Sequence, residues 1–202
     1  MTIGIIDYGM GNLKNVANAI EFLGGNCFIS DDYNRLSQAD QLILPGVGAF
    51  KDAITRIRQK KFDQLLVNAN MSNTPILGIC LGMQLLFDSS QEFGHHQGLG
   101  LLPGKIIPLD VPLKVPHMGW NQLTIKKRSP LFEGLSDEAY VYFVHSYHLE
   151  TDQDIVSATT VYGKEIQVAA QYENIYALQF HPEKSGEVGL QILQNFINLS
   201  TQ

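Results

Sequence analysis

The segment Ile76-Leu77-Gly78-Ile79-Cys80-Leu81-Gly82-Met83-Gln84 carries an apolar run into a helical pattern through Gly-x-Cys-x-Gly, and few backbones accommodate that order. Pro75 to Ile79 reads as a short buried strand, and a helix is expected from Leu81. A turn from strand to helix this sharp has no room for side chains two residues either side of its apex, which is where the two glycines stand. The Cys80 sulfur is then left exposed at the C-terminal edge of a sheet, where ligands of open α/β sheets bind. The helix N-terminus is expected to favour the thiolate over the thiol, and the Leu81 N–H can face an oxyanion. A lone cysteine in an apolar run is ordinarily packing. Cys27, which has no glycine frame, is read that way.

The rest of the chain fits such a sheet. Thr2 to Tyr8 reads as a strand ending in the turn Gly9-Met10-Gly11-Asn12. Leu13, Val16, Ala17, Ile20 and Leu23 then follow at helical spacing, with Asn12 as N-cap and Gly24-Gly25 as the stop. Asn26 to Ser30 and Gln41 to Leu44 read as strands, and Ala49 to Ala69 as one or two helices. This alternation predicts a parallel sheet with helices on both faces. Beyond Gly104 the texture is of shorter β-rich segments near Lys105–Leu109, Gln122–Ile125, Tyr140–Val144, Ile155–Thr160, Ile166–Gln171 and Tyr176–Phe180, predicting mixed or antiparallel pairing. Val188, Ile192, Leu193, Phe196 and Ile197 make one stripe of a closing helix.

Composition narrows the function. With 202 residues the chain is expected to form one domain, 1–202. Hydrophobic residues at 45% against 17% charged exclude a solvated disordered chain. A net charge of −6 argues against nucleic acid as a partner. Two cysteines cannot make a disulfide framework or a four-cysteine zinc site, and no pattern calls for a metal or cofactor. The charge-free stretch Gln64–Phe87 is broken by Pro75, three asparagines and two glycines, so no membrane span is expected. The N-terminus lacks the basic region of a signal peptide, and a cytoplasmic location is expected.

A cysteine nucleophile needs a base. Of six histidines, most read as ordinary surface or loop residues, including those of the polar stretch Asp88–Gln97, itself read as a mobile loop. His181 differs. It follows the apolar strand Tyr176–Phe180, and if the chain stays extended through Pro182, Glu183 faces the same side and can orient the imidazole and stabilise its charged form. Lys126-Lys127-Arg128 reads as a solvated turn.

Taken together, the elbow and Gln179-Phe180-His181-Pro182-Glu183 resemble the signatures of the class I, triad-type glutamine amidotransferases. Asp7-Tyr8-Gly9-Met10-Gly11-Asn12, Leu44-Pro45-Gly46-Val47-Gly48-Ala49-Phe50, Pro116-His117-Met118-Gly119-Trp120-Asn121 and Tyr142-Phe143-Val144-His145-Ser146-Tyr147 narrow the resemblance to one branch, glutaminase subunits acting in histidine biosynthesis. The resemblance implies a three-layer, flavodoxin-like α/β fold and hydrolysis of L-glutamine to glutamate and ammonia. It further implies a heterodimer in which the ammonia passes to a cyclase that is a (β/α)8 barrel. Carried over residue by residue, it makes Cys80, His181 and Glu183 the triad, Val47 and Leu81 the oxyanion donors, and Gly48, Gln84, Glu92, Ser146 and Tyr147 the surroundings of the substrate. Asn12, Asn15, Trp120 and Lys184 match positions at or near the partner interface.

Two classes of alternative stay open on sequence. One is a glutaminase serving another pathway, such as anthranilate or vitamin B6 synthesis, or a γ-glutamyl hydrolase. The other is a non-catalytic binding subunit, against which an intact Cys80, His181 and Glu183 speaks. Glycines on both sides of Val47 also lower the barrier to turning over its peptide, so the oxyanion donor is expected to be switchable.

Overall fold

A computed structural model describes residues 1–136 and 138–199. Its first half repeats strand and helix: β1 (Thr2–Ile6), α1 (Leu13–Phe22), β2 (Asn26–Ser30), α2 (Tyr33–Leu36), β3 (Gln41–Gly46), α3 (Phe50–Gln59), α4 (Phe62–Met71), β4 (Ile76–Cys80) and α5 (Leu81–Leu85). Short strands follow: β5 (Phe87–Ser90), β6 (His96–Gln97), β7 (Leu102–Pro108), β8 (His117–Gln122), β9 (Thr124–Ile125), β10 (Tyr140–His145), β11 (Tyr147–Glu150), β12 (Val156–Tyr162), β13 (Lys164–Tyr172) and β14 (Ile175–Leu178). The described chain closes on α6 (Gly186–Ile197).

The expected α/β architecture is present. One sheet runs in the order β2-β1-β3-β4-β14-β13-β11-β7-β5-β6. Its first five strands pair in parallel, and β13, β11 and β7 continue it antiparallel. Side chains alternate between two cores, as strands buried on both faces require. Ile3, Ile5, Ile43, Leu77 and Ile79 pack with Val16 and Ile20 of α1 and with Ile192, Leu193 and Phe196 of α6. On the other face Ile6, Leu42, Leu44 and Ile76 pack with Phe50 and Ile57 of α3 and Phe62 and Leu66 of α4. Strands β8 and β10 form a separate antiparallel ribbon.

Local expectations needed correction in several places. Asn12 precedes α1 but its side chain caps nothing; its carbonyl accepts from Asn15 and Val16 instead. Asp88–Gln97 is not simply a loop, because β5 pairs β6 within it and β7 beyond it. Lys126 and Lys127 do not merely face solvent: they reach Glu165 at 2.6 Å and Asp154 at 2.5 Å. Three histidines placed on the surface, His117, His145 and His148, are buried on strands. Among the described residues, no helix is long and apolar enough to cross a membrane.

The topology brings three strand ends together. Gly46 of β3 is in register with Cys80 of β4, and Leu178 of β14 with Ile79. Because the three strands are parallel neighbours, whatever follows β3 and β14 flanks the turn after β4.

Glycine at the turn is a requirement of packing: a Cβ on Gly82 would lie 1.8 Å from the Leu44 carbonyl oxygen. Gly24, by contrast, has open space and only a positive φ of +78°. Gly82→Ala is expected to cost more than about 3 kcal/mol, and Gly24→Ala about 1–2 kcal/mol. Thermal unfolding of the two variants checks this, and equal losses would refute the packing account.

Candidate active site

Cys80 sits at φ +54° and ψ −113°, a left-handed conformation that costs a non-glycine residue of order 1–3 kcal/mol. The neighbours enforce it. A Cβ on Gly78 would come within 2.8 Å of Met83 Cα, so strand and helix meet with no room between them. Helix α5 has only five residues, shorter than expected, and sums only a small part of a macrodipole. Other groups supply what polarity the sulfur finds, among them Gln179 Nε2 at 3.9 Å, the Val144 carbonyl at 4.0 Å and the His181 ring.

His181 is held on three sides. Its N–H donates to the Tyr142 carbonyl at 3.1 Å. Its own carbonyl accepts from Ser185 Oγ at 2.6 Å, and Ser185 Oγ accepts in turn from the Tyr142 N–H at 2.9 Å. On the ring, Nδ1 lies 2.8 Å from Glu183 Oε1, with the two side chains 3% and 1% exposed. The chain does not stay extended here. Pro182–Lys184 is a 3₁₀ turn, and it is the turn, favoured by proline at its first position, that folds the Glu183 carboxylate back onto the ring. Burial by itself would lower the His181 pKa. The Cys80 sulfur and the Glu183 carboxylate outweigh it and push the value up to about 9. The ring therefore favours its imidazolium form at neutral pH, with Nδ1 on Glu183 and Nε2 turned toward the Cys80 side.

A cavity of about 350 Å³ opens beside the sulfur. Cys80, Leu81 and His181 line it, with Val47 and Gly48 from the segment after β3. Gln84, Glu92, Ser146 and Tyr147 complete it, together with Pro116, Val144 and His145, which were not singled out from sequence. Glu183 stands behind His181, outside the lining. Glu92 enters through a specific bond: its carboxylate accepts from the Phe50 N–H at the start of α3. Gly48, at φ +102°, makes the turn into that helix. Gln179, quoted only as part of the signature around His181, and Ser185 were given no role from sequence. A glutamine inside an apolar run is the one signal that marks Gln179, and it is fully buried; nothing in the sequence marks Ser185. Burial drives the pKa of His145 down to about 3, so it is neutral where it lines the wall.

The remaining positions lie outside the cavity. Asn12 and Asn15 are exposed at the start of α1, and Lys184 is half-buried. Trp120 is 53% exposed and stands next to Gly186, two residues beyond Lys184.

Comparison with known proteins agrees with this geometry. The family model for class-I glutamine amidotransferases matches residues 4–199. The imidazole glycerol phosphate synthase subunit HisH of Syntrophotalea carbinolica is 48% identical, over 96% of this chain and 98% of its own length. The protein of the same name from Methanothermobacter thermautotrophicus is 49% identical over 98% of both. Among solved structures, that of PurLQS from Thermotoga maritima superposes with a TM-score of 0.78 at 20% identity, covering 98% of this chain and 97% of its own, a likeness of fold. With the family model matched over residues 4–199 and near-full-length similarity at these identities, the chain belongs to the class-I glutamine amidotransferases, among the HisH subunits of imidazole glycerol phosphate synthase.

Proposed function

We propose that residues 1–202 act as one glutaminase domain in which Cys80 is the nucleophile, His181 moves the protons and Glu183 orients and charges His181. The observation that carries this is the meeting of the β3, β4 and β14 ends at one cavity, with Cys80 and the His181 ring both on its wall. The Cys80 thiolate attacks the side-chain amide carbon of L-glutamine. The Val47 and Leu81 N–H groups receive the oxyanion. His181 Nε2 gives its proton to the amide nitrogen, the C–N bond breaks, ammonia leaves and a thioester remains. The neutral imidazole then takes a proton from water, whose oxygen attacks the thioester. Collapse of the second oxyanion frees glutamate and regenerates thiolate and imidazolium. Gly48, Gln84, Ser146 and Tyr147 surround the substrate. Glu92, the acidic residue on the wall, matches a glutamine α-ammonium. Asn12, Asn15, Trp120 and Lys184 face the cyclase, a (β/α)8 barrel that receives the ammonia. Two free cysteines fit a reducing, cytoplasmic setting.

Cys80→Ala is expected to abolish glutamine hydrolysis while synthesis from added ammonia by the assembled enzyme continues, since Cys80 acts only in releasing ammonia. Residual glutaminase equal to wild type would sink the assignment.

The imidazole pair gives a pH signature. Its folded pKa of about 9 lies above the unfolded value near 6.5, so its contribution to stability is complete below about pH 6.5 and is lost as pH rises through about 9. Glu183→Gln is expected to lower the melting temperature most at the acid end of that window, the gap from wild type closing toward pH 9. It should also reduce turnover less than His181→Ala, because the base remains. A gap that widens with pH would reverse the assignment.

The segment Pro45-Gly46-Val47-Gly48 gives a third expectation. If its peptide turns one donor away in the isolated chain, turnover lacks about 10²–10³-fold. The cyclase with its nucleotide substrate then raises kcat by at least ~10²-fold with little change in KM, because the donor acts on the transition state. Steady-state assays of the chain alone and assembled decide it: full activity alone excludes the switch.

A further inference from the structure

Gln179, fully buried one step past β14, is used by none of the steps above, yet its Nε2 lies 3.9 Å from Cys80 Sγ. Which end of a carboxamide faces a sulfur matters, because the NH₂ donates to a thiolate and the carbonyl oxygen repels it. Contacts in series fix the choice. The Tyr147 carbonyl can only accept, so the end of Gln84 that stands 3.4 Å from it is the amide nitrogen. That nitrogen also donates to Gln179 Oε1 at 3.0 Å. The Gln179 nitrogen is then the group left facing the sulfur. The reverse arrangement would bury Gln84's nitrogen against Gln179's nitrogen and leave donors unpaired, a cost that low local polarity magnifies.

We propose that Gln179 is a catalytic residue of the glutaminase reaction, donating an amide N–H to the Cys80 thiolate, and that Gln84 is a positioning residue that holds the Gln179 carboxamide in that orientation. This rests on Cys80 being the nucleophile. The donor serves the cycle twice: it steadies the resting thiolate, and it receives the sulfur again as charge returns to it when the thioester breaks.

The test is alkylation of the full chain by iodoacetamide, a small neutral reagent, from about pH 6 to 10, with peptide mass spectrometry to follow Cys80 and Cys27 separately. Gln179→Met is expected to move the pH midpoint of Cys80 alkylation up by about one unit, so that the rate falls about tenfold at pH values below the wild-type midpoint, leaving Cys27 unchanged. Gln179→Glu, which keeps the shape but sets an anion by the sulfur, should be slower still. Gln84→Met should fall between wild type and Gln179→Met, since a released carboxamide still presents its N–H part of the time. With the cyclase bound, kcat for glutamine falls in Gln179→Met while KM stays within about twofold. A folded Gln179→Met with the wild-type rate and midpoint overturns the proposal, as does a Gln179→Glu that reacts as fast as wild type; either variant alone decides it if the other does not fold. Glutamine turnover by wild type is measured in parallel, and its absence would remove the glutaminase reading while the alkylation order still judges Gln179.

Discussion

The contact between the Leu44 carbonyl and the backbone of Gly82 sets the rest of the site. It brings the first turn of α5 down onto β3, and a chain leaving β4 can reach that position only through a left-handed residue at the apex. Cys80 is that residue. Its conformational cost is carried by a sheet buried on both faces, where Leu77, Ile79, Leu44 and Met83 are all packed within the two cores. The sulfur consequently projects from the sheet edge on a rigid support, which is what positions a nucleophile to fractions of an ångström.

Against that fixed point the histidine is held by bonds of a different kind. The His181 backbone is tied to β10 through Tyr142 and Ser185, while the ring is tied to Glu183 in the 3₁₀ turn. Burying a carboxylate at 1% exposure is costly unless it is paired. The imidazolium supplies the pairing on Oε1, while Glu183 Oε2 has no partner. Charge on the ring is therefore retained by structure: discharging His181 would leave Glu183 buried and uncompensated.

Much of this was legible in the residues because it depends on local backbone rules. Glycines at 78 and 82 mark an apex whatever surrounds them, and alternating apolar runs marked the parallel half of the sheet down to the bounds of β2. Legibility failed where long-range pairing decided the outcome. The pairing of β5 with β7 converts a polar stretch into strand, and its sequence carries no alternation to betray that. His117, His145 and His148 read as surface because histidine is polar, yet neighbours satisfy the first two and half of the third: His117 Nδ1 lies 3.0 Å from His145 Nε2, His145 Nδ1 donates to the Tyr147 carbonyl at 2.8 Å, and His148 Nδ1 donates to the Leu149 carbonyl while its Nε2 has no partner among the described residues. The contact of Glu183 with His181 was expected from an extended chain and is made instead through the 3₁₀ turn Pro182–Lys184.

The β8–β10 ribbon ties the outer face of the molecule to this site. Trp120 is in register with Tyr142, their rings 6.1 Å apart, and Tyr142 is the residue to which the His181 backbone is anchored. The same β10 strand continues into Val144, His145, Ser146 and Tyr147 on the cavity wall. A partner that covers the exposed indole of Trp120 therefore rests on a two-stranded element whose other strand carries both the histidine's anchor and the substrate wall. Among the described residues the ribbon shares no ladder with the main sheet, but it is fastened to it by Val141 and Phe143 in the core and by Thr160 Oγ1 and Asn121 Nδ2, which donate to the Gln122 and Val161 carbonyls. If a partner's contact with Trp120 alters the affinity of the cavity for a ligand, that ligand alters partner affinity by the same factor, because a coupling free energy between two sites is reciprocal.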